Sequence, residues 1–185
     1  MYLDSVRDVS ATPAQLSATL IAMHILVTAS SKHGSTNEVA DAIARRLEDA
    51  GHTADRIAPE DVTSVDAYDA VICGSAVYIL QWMDGAHDFM DRFSAQLENK
   101  PVWAFSVGMN GVPKHAPQDP TRIGPLLTRV SAIDLHSFAG RYTPSLLSLR
   151  ERSVARLAGV VEGDFRDWDE INEWTDSILK DLEQR

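Results

Sequence analysis

Short apolar runs alternate with helical periodicities along most of the chain. Ile25-Leu26-Val27-Thr28 is apolar on both sides of a strand's pleat, which predicts a buried strand. From Ser35 to Ala50, residues Val39, Ala42, Ile43 and Leu47 fall on one helical face. Ser35 and Glu38 have the spacing of a capping box, and Gly51 stands where a helix stops. Thr53 to Ala58 predicts a short second strand and Ala70-Val71-Ile72-Cys73 a third. A helix is expected from Asp84 to Leu97, with Phe89, Met90 and Phe93 inward, then a fourth strand from Pro101 to Val107. A long loop runs from Gly108 to Asp119. Ile123, Leu126, Leu127 and Val130 mark the next helix, Ile133 to Gly140 a fifth strand, and Trp168, Ile171, Trp174, Ile178 and Leu179 a last helix starting near Asp167. Uniformly apolar strands alternating with helices predict an α/β fold. Its expected form is a doubly wound five-stranded parallel sheet in the order 2-1-3-4-5, with helices on both faces. Ligands of such sheets bind beyond the carboxyl ends of the strands, which directs attention to the segments after Thr28, Gly74 and Val107.

Residues 1–22 read as an N-terminal extension, polar from Asp4 to Ser10 and with a possible short helix at Thr12-Pro13; residues 23–185 read as one domain. The 185 residues carry a formal net charge of −10, which disfavours nucleic acid and anionic membrane as partners and favours a positively charged protein surface. The one cysteine, Cys73, lies in an apolar run and reads as a buried structural thiol rather than a nucleophile. No apolar run reaches the ~20 residues of a membrane helix and no signal peptide is evident, so the expected location is cytoplasmic. No spaced metal-ligand set and no acid–base or nucleophile pair is seen; His24, His52, His87, His115 and His136 are scattered.

The segment after the first strand is Ser30-Ser31-Lys32-His33-Gly34-Ser35-Thr36. It joins a strand to a helix N-terminus, where unpaired backbone N–H groups and the helix dipole favour an anion. Gly34 allows close backbone approach, while Ser31, Ser35 and Thr36 supply hydroxyls. With a single glycine the loop matches neither the dinucleotide nor the triphosphate pattern, and a single terminal phosphate suits it better. A serine-rich helix cap without a ligand is the plainer alternative.

Ser31-x-x-Gly34-x-Thr36 between an apolar strand and a helix resembles the FMN-phosphate loop of the flavodoxins. The resemblance implies a flavodoxin-like fold, FMN as cofactor, and phosphate contacts from Ser31, Lys32, His33, Gly34, Ser35 and Thr36. The family often has Thr where this chain has His33. The same resemblance assigns the flavin ring to the two other segments. The first supplies Ser75, Ala76, Val77, Tyr78 and Trp82, with Tyr78 and Trp82 as candidate ring covers. The second supplies Ser106, Val107, Gly108, Met109 and Asn110, with backbone groups at the ring's polar edge.

Gly74-Ser75-Ala76, Phe105-Ser106-Val107, Ser137-Phe138-Ala139-Gly140-Arg141-Tyr142 and Asp167-Trp168-x-x-Ile171 also resemble bacterial menaquinone-dependent protoporphyrinogen oxidases of the flavodoxin superfamily, over roughly residues 23–182. That family oxidises a porphyrinogen through FMN and passes electrons to a membrane quinone. It implies an oxidoreductase, a redox partner protein or quinone, a porphyrinogen-like substrate, a place peripheral to the membrane, and a possible homodimer. The family's long insert after the fifth strand is shorter here, about residues 143–163, and lacks aromatics. It reads as an interfacial or lid helix, or as a helix packed on the domain edge. Two other readings stay open: an acidic flavodoxin-type electron carrier, and a flavin-free scaffold that binds a protein.

Overall fold

The computed structural model describes residues 21–78, 81–108, 123–157 and 159–185. The chain runs through β1 (His24–Ser30), α1 (Ser35–Asp49), β2 (Thr53–Arg56), β3 (Ala70–Tyr78), β4 (Gln81–Trp82), α2 (Asp84–Arg92), α3 (Ser94–Leu97) and β5 (Val102–Gly108). It continues through α4 (Gly124–Arg129), β6 (Asp134–Ala139), β7 (Arg141–Tyr142), α5 (Leu149–Leu157), β8 (Gly163–Asp164) and α6 (Trp168–Glu183). β2, β1, β3, β5 and β6 pair in that order, all parallel, and the short β4 folds back antiparallel on β3. Counting the five parallel strands alone, this is the expected order 2-1-3-4-5. Of the expected extension, residues 1–20 lie outside the described residues, as does most of the long loop, from 109 to 122.

Alternation along each strand sends successive side chains to opposite faces, and both faces are covered. On one face Ile25, Val27, Ile72, Trp103 and Phe105 pack against Val39, Ile43 and Leu47 of α1 and Ile171, Trp174 and Ile178 of α6. On the other, Leu26, Val71, Cys73, Val102 and Ala104 pack against Phe89 and Met90 of α2 and Leu126 of α4. Cys73 is fully buried, and burial pushes its thiol far up, as a structural cysteine requires.

The structure corrects several boundaries. β3 runs on to Tyr78, so Gly74 to Tyr78 form strand rather than loop. The helix expected from Asp84 to Leu97 breaks at Phe93 (φ −106°, ψ 12°) into α2 and α3. The Ser35–Glu38 capping box is absent: Gly34, in the left-handed region (φ 89°), is the N-cap residue and makes no side-chain cap bond. The Glu38 carboxylate is drawn away by two arginines. Arg141 donates to it at 2.8 and 3.2 Å, and Arg166 at 2.7 Å. Arg166 also donates to Asp164 at 2.6 and 2.8 Å and lies over the Trp168 ring at 4.6 Å. Its side chain is 3% exposed, so these carboxylates replace the water its guanidinium has lost. Asp167 caps α6 as its position suggests, accepting from the N–H groups of Asp169 and Glu170.

Two expectations follow. A Cβ on Gly74 would fall 2.1 Å from the Phe105 ring tip, and Phe105 is fully buried. Gly74→Ala is therefore expected to destabilise the fold by about 1–3 kcal/mol, read from urea midpoints. Glu38 and Asp164 are both held below the ordinary carboxylate range, Glu38 by Arg166 and then Arg141, Asp164 by Arg166. Carboxyls depressed on folding stabilise above their unfolded values, near about 4, and lose that contribution as pH falls through the folded values. The contribution is thus complete above about pH 5 and declines on further acidification. Urea midpoints from pH 7 to 3 should show the decline, and Glu38→Gln should flatten it.

Candidate functional site

At the carboxyl end of the sheet β1 leaves the core at Ser30 and turns into α1 through Ser31 to Gly34. The Ser31 hydroxyl accepts the Gly34 N–H at 3.0 Å, which closes the loop on itself. The first α1 bond is made by the Glu38 N–H to the Gly34 carbonyl. The N–H groups of Ser35, Thr36 and Asn37 lie ahead of it, at the positive end of a 15-residue helix.

This turn forms one wall of a cleft. Ser31, Lys32, His33, Ser35 and Thr36 line it, with Ala76, Val77 and Tyr78 from β3, and Val107 and Gly108 from β5. Residues that the sequence reading did not assign to the cofactor site complete it: Gly140, Arg141, Thr143, Leu146 and Leu147. Gly140 had a signal in its type, since a Cβ there would fall 2.7 Å from the Gly108 carbonyl oxygen. Leu146 and Leu147 had none, because they reach the cleft through the turn Pro144–Leu146, which has no period to read.

Two polar atoms of the cleft's residues are buried without a hydrogen-bond partner: Thr36 Oγ1 and His33 Nε2. Thr36 is 1% exposed. The cations beside them are already answered. Arg141 is held by Glu38, and Lys32 pairs with Glu151 of α5. Glu151 also accepts the Tyr78 hydroxyl at 2.6 Å and the Ser148 N–H at 2.7 Å, while the Lys32 ammonium lies 4.1 Å above the Tyr78 ring. Lys32, then Tyr78 and Ser148, hold the Glu151 carboxyl far below its usual range. Glu151 raises Lys32, and burial followed by Glu151 raises Tyr78. At neutral pH the cluster is therefore an ammonium, a carboxylate and a phenol donor, and it joins α5 to both the loop and β3.

Of the remaining predicted residues, Gly34, Ser75, Trp82 and Ser106 stand apart from the cleft's lining. Ser75 is fully buried, donating to the Ala76 carbonyl and accepting the Met83 N–H, each at 2.9 Å. Trp82, expected as a ring cover, is 6% exposed; it packs in the core and its indole N–H donates to Ser106 Oγ at 2.9 Å. Its single polar atom found a partner inside, so the whole side chain could follow. Gly34 shapes the turn from behind. Met109 and Asn110 lie outside the described residues. No group of three metal-ligating side chains occurs among the described residues, nor any helix long and apolar enough to cross a membrane.

Several solved structures share this fold. A flavodoxin from the domain Archaea is 17% identical, with a TM-score of 0.59 over 86% of this chain and 99% of that one. Oxidised flavodoxin 1 from Bacillus cereus is 16% identical, with a TM-score of 0.59 over 85% and 97%. The rubredoxin oxygen:oxidoreductase from Desulfovibrio gigas is 14% identical, with a TM-score of 0.60 over 87% of this chain and 36% of that one. The present chain thus spans about a third of the length of that enzyme. At these identities the likeness is one of fold. A search of curated protein sequences finds no match. The family model for the flavodoxin domain matches residues 26–167, well over half of the sequence, and the protein belongs to that family.

Proposed function

We propose that the protein binds FMN in the cleft between the β1–α1 turn and the ends of β3 and β5, and exchanges electrons with a redox partner protein. The observation that carries this reading is the unpartnered Thr36 Oγ1. A hydroxyl buried at a helix N-terminus without a partner is costly by itself, and a phosphate oxygen is the acceptor that suits the place. His33 Nε2 supports the same reading.

In this arrangement Ser31, Ser35, Thr36 and the first N–H groups of α1 hold the phosphate. Gly34 sets the turn, and Lys32 adds its charge nearby. Tyr78 borders the ring, and the close approach of Gly108 and Gly140 leaves backbone for its edge. Ser75 acts through the backbone it holds, and Ser106 and Trp82 through the side-chain bond they share. Met109 and Asn110 remain proposed contacts of the ring edge. Bound FMN supplies one- or two-electron chemistry, whose potential the surrounding groups set. Lys32, Tyr78 and Arg141 are each engaged with a carboxylate rather than standing free for proton transfer, which favours an electron carrier.

A second reading, oxidation of a porphyrinogen-like substrate with a quinone as acceptor, is favoured by the segment after β6. Thr143, Leu146 and Leu147 border the cleft and α5 reaches it through Glu151, so a partner approaching the cleft meets this segment first.

FMN added to the purified protein is expected to shift its visible spectrum and bind tightly. Thr36→Val should weaken binding by about 1 kcal/mol or more, measured by calorimetry. A colourless protein with no FMN affinity would promote a flavin-free, protein-binding scaffold instead. Redox titration of the loaded protein should give two well-separated one-electron potentials. A single two-electron wave, with turnover of protoporphyrinogen and a menaquinone analogue above that of free FMN, would favour the oxidase.

A further inference from the structure

We propose that the segment between Tyr142 and Gly163, which carries α5, is a strap latched across the cleft by Glu151, and that FMN enters only when the strap swings out. The inference rests on the FMN reading above and adds to it a control on cofactor entry. The strap leaves and rejoins the domain at one place. Tyr142 of β7 pairs with Gly163 of β8, while Arg141 before the first root and Arg166 after the second both hold Glu38. Between its roots the strap has a small core built on Tyr142, Leu147 and Ala155, distinct from the two that flank the sheet. It can therefore move about its roots as a unit and leave both large cores closed. Its inner side fills the cleft. With Leu146 and Leu147 set opposite Tyr78, the space enclosed is about 40 Å³. That is little more than one water's share of the liquid, whereas sites for ligands of this class take about 300 Å³ or more. The flavin ring and the latched strap thus exclude one another. Glu151 is the latch. Its side chain is 13% exposed, and its carboxylate takes both the Lys32 ammonium of the β1–α1 turn and, at 2.6 Å, the Tyr78 hydroxyl of β3. One side chain so ties the strap to the two walls between which the cofactor is to lie. A site open in only a fraction of molecules binds with its affinity reduced by that fraction.

The test follows FMN binding to the full chain by stopped-flow quenching of flavin fluorescence, in the wild type, Glu151→Ala and Glu151→Gln. The wild-type association rate should level off as FMN is raised, at the rate of strap opening. Glu151→Ala is expected to raise that limit about tenfold and to tighten FMN by a similar factor, the order of one hydrogen bond to a charged group. Glu151→Gln keeps an acceptor for Tyr78 and should fall between. Added salt screens the pair with Lys32 and should raise the limit for the wild type but not for Glu151→Ala. Hydrogen exchange of the FMN-free chain should quicken in α5 of the alanine variant and stay unchanged in α1. If that variant loses the α5 helix, the salt dependence of the wild type and the glutamine variant carry the test. Equal FMN rates and affinities in the wild type and Glu151→Ala overturn the latch and leave the FMN reading standing, as does weaker binding by the variant. A protein that binds FMN in none of its three forms sinks the FMN reading itself.

Discussion

A hydroxyl taken out of water must find a partner, and this structure places a row of them where its sheet ends. Register sets Ser30 beside Ser75, Ser75 beside Ser106, and Ser106 beside Ser137. Two members of the row, Ser75 and Ser106, pair with the segment that follows β3. Ser75 takes the Met83 N–H and Ser106 the Trp82 indole. Gly85, in the first turn of α2, sits against Ser30; a Cβ there would fall 2.8 Å from its hydroxyl oxygen. The return of the chain from β3 through β4 into α2 is thus fixed by polar demand rather than by apolar packing alone. The position of α2 over the second face of the sheet follows from it.

The same accounting sets the serine row apart from the cleft, although Thr28 Oγ1 and His52 Nε2 are also without a partner away from it. Ser75 and Ser106 are spent within the protein, and the chain around them has one course. Thr36 and His33, at the start of α1, are equally removed from water at their polar atoms and are not spent. The fold is shared with proteins of under 20% identity. What this chain does is therefore argued from those unspent atoms and from the cleft they line, not from the sheet that carries them.

The strands were legible because strands covered on both faces read as continuous apolar runs, and the helices because one face of each is apolar. β3 read short because Gly74-Ser75-Ala76 carries little hydrophobicity. Its small residues answer a packing need, the Phe105 ring over Gly74, that no local pattern reveals. Phe93 kept the helical apolar period while its backbone left the helix. Trp82 looked available to a ligand because its partner, Ser106, is 24 residues away. The Ser35–Glu38 pair met a local rule and lost to Arg141 and Arg166, which lie more than 100 residues further on. The cleft wall formed by the β1–α1 turn was readable because its residues are contiguous. Gly140, Arg141 and the turn after them were not, because they join the cleft through tertiary placement alone.

The two-arginine grip on Glu38 has a mechanical side. Glu38 stands one turn inside the helix whose start forms the loop, while Arg141 and Arg166 stand at the two ends of the segment that carries α5. That segment is therefore hung from the helix at both its roots, and through Glu151 it touches the loop again near its middle. A load applied to the outer face of α5 has three short polar routes into the β1–α1 turn, one at each root and one through Lys32. The outer helix and the β1–α1 turn are thus tied together by side chains that span the segment between them.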